Sequence, residues 1–304
     1  MRYYSLNQYC RTTFGEKLYK LSLDAKMTCP NRDGSLSSLG CLYCSAGGSG
    51  DFAADRTLSI TDQLNKAKER VSGKSHCEHF IAYFQAFTNT YAPVPYLREI
   101  FYEAINDPSV AVLSIGTRTD CFSPEIYDLL EELNRIKPVW IELGLQTVHQ
   151  TTLDAMNTHT RVSDFDAVTA ELHRRKIRVI AHLILGLPGE TEAMMLESTD
   201  HVAKSGIFGV KLQLLHVLKG TPLADMYNAD PFPLFSLENY CEFVVKCIEH
   251  LPKDMVIHRM TGDGSRSLLI APLWSTDKKR VLNTINKIFN ERDTYQGRLF
   301  DIKD

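Results

Sequence analysis

Three cysteines crowd one short polar stretch, CPNRDGSLSSLGCLYC at residues 29–44. Cys41 and Cys44 bracket only Leu42 and Tyr43, a spacing that lets two thiolates turn toward one metal centre, and Cys29 arrives from the end of the first predicted strand. A structural zinc takes four protein ligands, so a zinc reading has to recruit Cys10, Cys77 or a histidine from elsewhere. Iron–sulfur clusters also usually have four cysteines, so three would leave one iron open to another ligand. Three reduced loop cysteines or a zinc knuckle are the bland alternatives. The other five, Cys10, Cys77, Cys121, Cys241 and Cys247, show no ligand spacing and are expected to be buried small hydrophobes.

A loop of ligands needs a frame. Apolar or β-branched runs recur at 17–23, 79–84, 110–116, 139–145, 178–186 and 209–217, separated by amphipathic segments of helical length. Ser123 before Pro124 reads as an N-cap with proline at the first helical position, and Ile126, Leu129, Leu130 and Leu133 then share one face. Ser163 reads as another cap, with Phe165, Val168 and Leu172 turned inward. Six strand–helix units give an α/β protein with a parallel sheet, closed or partly closed into a barrel whose site lies at the strands' C-terminal ends. A seventh strand is possible at 255–262 and a last helix at 278–289. A doubly wound sheet is the alternative, because periodicity does not report closure.

The 304 residues, 44% apolar, can fill one large core. The expected division is a barrel over 1–260, opened by an N-terminal segment, and a C-terminal helical extension over 261–304 packed on it. With 34 basic against 37 acidic side chains the net charge is -3, which excludes a wholesale basic coat but not a local strip. The first residues have no apolar signal core and no run approaches a membrane span, so a cytoplasmic protein without membrane partners is expected. In that compartment eight cysteines do not read as a disulfide framework.

The triad closing as CLYC, with an aromatic before its last cysteine, resembles the radical S-adenosylmethionine superfamily. In order, GGSGDF (47–52), ELGLQT (142–147), HLILGLPGET (182–191) and LKGTPL (218–223) resemble segments of the Elongator catalytic subunit's radical domain. The resemblance runs from Leu18 to Met260 and is nearest to a compact bacterial branch, without the acetyltransferase domain, associated with wobble-uridine modification in transfer RNA. It implies a partial (β/α)6 TIM-like barrel with a [4Fe-4S] cluster on Cys29, Cys41 and Cys44. S-adenosylmethionine would bind the fourth iron and be cleaved to a 5'-deoxyadenosyl radical, with an external electron donor such as flavodoxin or ferredoxin. It further implies conversion of 5-carboxymethylaminomethyluridine to 5-aminomethyluridine. The alternatives are a radical enzyme acting on a small anionic metabolite such as a porphyrinogen, and a zinc-stabilised RNA-binding module without catalysis.

Carried over by position, the resemblance places Tyr43 near the adenine, Gln146 facing the cofactor and His182 near the ribose; the superfamily's Gly-Gly-Glu segment after strand two is replaced by YFQAFTNT (83–90), with Gln85 at its centre, which leaves the methionine-amine contact to backbone carbonyls. Gly186, with Pro188 and Gly189, would allow close approach of backbone to ligand, although a tight turn needs the same residues. A histidine on a buried strand can equally be a satisfied core group. Relatives carry arginine where this chain has Thr158, so Arg161 is the candidate partner for the methionine carboxylate. On the substrate side Arg118, Asp120, His258 and Arg259 are expected at the barrel mouth as catalytic or anion-binding groups, or else as buried ion pairs. The basic runs at 173–176 and 277–280 could touch phosphates or be ordinary solvated helix faces.

Overall fold

The computed structural model describes residues 2–48, 50, 53–73, 77–262 and 264–300; Ser49, Asp51 and Phe52 of the GGSGDF segment lie outside the described residues. Its strands are β1 (Tyr19–Leu23), β2 (Phe80–Phe84), β3 (Val110–Thr117), β4 (Val139–Gln146), β5 (Arg178–Leu185), β6 (Gly209–Leu214), β7 (Val217–Leu218), β8 (Val256–Arg259) and β9 (Leu269–Ala271). Its helices are α1 (Leu6–Phe14), α2 (Ile60–Ser72), α3 (Val94–Ile105), α4 (Pro124–Ile136), α5 (Gln150–Ala155), α6 (Val162–Arg174), α7 (Glu192–Lys204), α8 (Pro222–Ala229), α9 (Leu237–Glu249) and α10 (Lys278–Glu291). Seven strands form one all-parallel sheet in the order β1-β2-β3-β4-β5-β6-β8, curled into a partial TIM-like barrel with helices outside. The expected class and seventh strand are both present.

Each strand alternates strictly between two interiors. On β4, Val139, Ile141, Leu143 and Leu145 face the helices, while Trp140, Glu142, Gly144 and Gln146 face into the half-barrel. The helices bring matching faces: Ile126, Leu129, Leu130 and Leu133 of α4 are all buried, each stabilising by roughly 1.5–3 kcal/mol relative to exposure. α4 starts as expected, with the Ser123 hydroxyl accepting from the Ile126 amide and Pro124 at the first position. α6 does not. It begins at Val162 with Arg161 as an N-cap that makes no side-chain cap bond, and Ser163 lies inside its first turn.

Inside the half-barrel three levels stack from the strands' N-terminal to C-terminal ends. The lowest is apolar, with Leu18, Ile81, Val112, Trp140, Ile180 and Val256, and α1 plugs it from below through Tyr9 and Cys10. Tyr9 packs edge-on against Trp140 and Phe208, and a bridge from Ser5 to Ile257 ties the plug to β8. Sequence reasoning missed this helix, although Ser5 caps its start and Gly15 ends it in the left-handed region. The second level is polar, with Lys20, Tyr83, Ser114, Glu142, His182 and Lys211. At the third, Gly116 and Gly144 leave room for a cavity. The 209–217 run breaks after Leu214, and its tail, β7, pairs antiparallel with β9. α10 packs on α9, and its Phe289 stacks on Tyr3.

Candidate active site

The cysteine loop leaves β1 and crosses the top of the half-barrel, where Cys29, Cys41 and Cys44 all line the cavity and none is in a disulfide. Its conformation is held by polar groups that satisfy the irregular backbone. The Asn31 amide donates to the Asn157 carbonyl at 2.6 Å and to Cys41 Sγ at 3.4 Å, and the Asn157 amide donates to the Gly40 carbonyl at 2.8 Å. Arg32 donates to the carbonyls of Cys44 and Ser45 at 2.8 and 2.7 Å. Burial, and then the neighbouring Cys44, push the Cys41 thiol up to about 11, so ligation must displace a proton there. Arg118 opposes that shift. Burial would discharge its guanidinium, but Asp120, bonded at 2.9 and 2.7 Å, holds it protonated.

Tyr43, Gln85, Gln146, Thr158 and His182 line the same cavity, as do Arg118 and Arg259. β4 ends in a bulge that puts Gln146 in the left-handed region at φ 68°, and its Oε1 is buried without a protein partner. A strained backbone carrying an orphaned acceptor at a cavity wall suits a polar contact with a bound ligand. A Cβ on Gly144 would stand 2.6 Å from the Gln146 Nε2, so only glycine leaves the amide its place.

Below, Glu142 is fully buried and receives Lys20 Nζ at 2.5 Å, Ser114 Oγ at 2.6 Å, His182 Nε2 at 2.8 Å and the Lys211 ammonium. Burial alone would raise its carboxyl, but Lys20, Lys211 and the His182 hydrogen bond hold it well below the usual carboxylate range. Burial, then Lys211, pushes His182 down to about 4, so the ring is neutral and its Nε2–H donates to the carboxylate. Lys211 also donates to Tyr83 Oη at 3.1 Å. Burial lowers Lys211 while Glu142 opposes it.

Six sequence-predicted residues do not line the cavity: Asp120, Arg161, Gly186, Pro188, Gly189 and His258. Arg161 is exposed at the start of α6, and Asp120 acts through Arg118. Gly186 sits at φ 91° where a Cβ would come within 3.2 Å of Phe235, so its glycine serves the turn. His258 packs edge-on against Trp140 at the plug level. Cys77 is half-buried against the edge of the core, whereas Cys10, Cys121, Cys241 and Cys247 are buried. Sequence reasoning missed Asn31, Arg32, Lys20, Glu142 and Lys211. The last three had a signal, since each is a charge inside a run otherwise apolar enough to be buried on both faces.

A profile described as the radical SAM superfamily matches residues 36–202, and one described as the Radical_SAM C-terminal domain matches 207–291. The chain belongs to the radical S-adenosylmethionine superfamily, and its cofactors are a [4Fe-4S] cluster and S-adenosylmethionine. It is 43% identical over 302 residues to the uncharacterized protein YtqA of Bacillus subtilis (strain 168), covering 98% of this chain and 93% of that one. It is 34% identical over 279 residues to the protein YhcC of Escherichia coli (strain K12), covering 91% and 89%. The structure of the archaeal Methanocaldococcus infernus Elp3 with an N-terminal deletion shares the fold, with a TM-score of 0.70 at 15% identity. That match covers 92% of this chain and 64% of the other, less than two thirds of it. The site's donor set fits these cofactors: three thiols outside any disulfide and an orphaned glutamine acceptor face one space. Among the described residues no three His, Cys, Asp or Glu side chains gather closely enough to hold a metal ion, and no helix is long and apolar enough to cross a membrane.

Proposed function

We propose that this chain is a tRNA-modifying enzyme that removes the carboxymethyl portion of 5-carboxymethylaminomethyluridine at the wobble position, leaving 5-aminomethyluridine. The observation that carries the reading is similarity, at 25% identity over 162 residues, to the tRNA uridine(34) acetyltransferase of Methanocaldococcus jannaschii. It covers 52% of this chain and 29% of that protein. When bound, the cluster and S-adenosylmethionine supply hydrogen-atom abstraction from an unactivated carbon. The protein's own residues do the rest. Asn31 and Arg32 fix the cysteine loop, Gln146 and Tyr43 wall the nucleoside space, and Arg118, Lys211 and Arg259 give the cavity a cationic lining suited to an anionic arm. Cys29, Cys41 and Cys44 are the proposed cluster ligands. A flavodoxin or ferredoxin serves as the electron donor.

The test is an anaerobic reaction of the reconstituted enzyme with bulk transfer RNA, followed by nucleoside mass spectrometry. Loss of the carboxymethylaminomethyl nucleoside with matching gain of the aminomethyl one is expected. Unchanged nucleosides, alongside steady cleavage of S-adenosylmethionine, would reject this substrate.

A further inference from the structure

Among the described residues, the polar level beneath the cavity sets two lysines against one carboxylate. Glu142 is the carboxylate that both Lys20 and Lys211 reach, and its other partners, Ser114 and a neutral His182, add no charge. The Lys211 side chain is 3% exposed and that of Glu142 fully buried, so water does not settle the difference. Lys211 lines the cavity and has three N–H groups. One meets Glu142 and one meets Tyr83 Oη at 3.1 Å; among the described residues no third acceptor is found. Burial holds Lys211 well below the usual lysine range against the pull of Glu142, and a second carboxylate beside it would favour the charged ammonium.

We propose that Lys211, held by Glu142 and Tyr83, is the docking point for a carboxylate of the substrate, and so a specificity-determining residue at the cavity floor. This rests on the proposed function, where the carboxylate is that of the carboxymethylaminomethyl arm. A monoanion matches the excess of one charge that Lys20 and Lys211 leave over Glu142. The depth of the ammonium suits a small terminal carboxylate, whereas a backbone phosphate carries nucleotides on both sides. Glu142 and Tyr83 are positioning residues that aim the ammonium. The methionine carboxylate of S-adenosylmethionine has the same chemistry, and the experiment separates the two sources.

Reconstituted holoenzyme is compared with Lys211→Met and with the double variant Lys211→Met/Glu142→Gln, which removes the buried Glu142–Lys211 pair together and leaves only the partly exposed Lys20 without its carboxylate. Calorimetry uses N-methylglycine as the probe, dimethylamine as its carboxylate-free counterpart, and S-adenosylmethionine in a separate titration. N-methylglycine should bind about thirtyfold more weakly to both variants, the scale for losing a buried charge partner. Dimethylamine should not distinguish the three proteins, and S-adenosylmethionine affinity should stay within about twofold, well below that scale. The proposal is overturned if the wild type does not bind N-methylglycine, if the variants bind it equally well, or if S-adenosylmethionine affinity falls instead. With transfer RNA, the loss should be confined to molecules bearing the carboxymethylaminomethyl arm and spare those bearing aminomethyl. If the wild type leaves transfer RNA unmodified while the N-methylglycine result holds, the substrate assignment fails and the carboxylate site stands.

Discussion

Replacing Glu142 by glutamine keeps the side chain's size and removes the charge that Lys20 and Lys211 share. Losing one partner of a buried ion pair costs about 3–5 kcal/mol. A second route gives the same scale. If Lys211 escapes by losing its proton, going from an unfolded pKa near 10.4 to neutral at pH 7 costs about 1.4 kcal/mol per unit, at most roughly 4.6 kcal/mol, less the part that burial already imposes on the wild type. Either is a large share of the 5–15 kcal/mol typical of a folded chain. The pH dependence follows by sign. Burial already lowers Lys211, and without Glu142 it falls further, so between its folded and unfolded pKa the unfolded chain binds more protons and stability rises with pH. The variant's deficit should therefore narrow from neutral toward pH 10. On the acid side, the depressed Glu142 contributes stability that is fully present above about pH 4.3 and lost as pH falls through its lower folded value, so the deficit narrows there too. Urea unfolding of cluster-free protein, followed by circular dichroism across a pH series, measures this without cofactor release breaking the two-state analysis. Adding Lys211→Met should recover at least half of the loss. A deficit below about 1 kcal/mol at pH 7, or one indifferent to pH, refutes the reasoning, because an exposed pair behaves that way.

The neutral His182 adds a separate acid limb. With a folded pKa of about 4 against about 6.5 unfolded, it loses the wild type roughly 3 kcal/mol as pH falls from 6.5 to 4, and the same unfolding series on His182→Gln should show that slope flattened. Gly144→Ala should raise the dissociation constant for S-adenosylmethionine about five- to tenfold by equilibrium dialysis, one hydrogen bond's worth, because the new methyl displaces the Gln146 amide. Alanine at Cys29, Cys41 or Cys44 should abolish reductive cleavage of S-adenosylmethionine and lower iron and sulfide content, whereas alanine at Cys10, Cys77, Cys121, Cys241 or Cys247 should retain both, as metal analysis and product chromatography will report.

What the residues disclosed and what they concealed divide along the range of the signals. Strands and helices were readable because burial on two faces writes itself into neighbours two, three and four positions apart, as in the alternation of β4 and the stripe on α4. The α1 plug was not, because its partners Trp140 and Phe208 lie far along the chain and nothing local says that a short amphipathic helix closes a barrel. The same limit explains Arg161. A positive charge three residues past a substituted arginine is near in sequence, but the left-handed turns at Asn157 and His159 carry the chain so that Thr158 and Thr160 face the cavity and Arg161 faces solvent. Glu142 was legible and was passed over. A carboxylate two residues before a glycine in the middle of VWIELGL has no water to meet on either face, so its presence required cations on other strands. Lys20, His182 and Lys211 are the inward-facing ionisable residues of three such strands at the same level, β1, β5 and β6. Charges inside apolar strands, aligned by level rather than by motif, therefore locate the floor of this half-barrel, and the cysteine spacing locates only its rim.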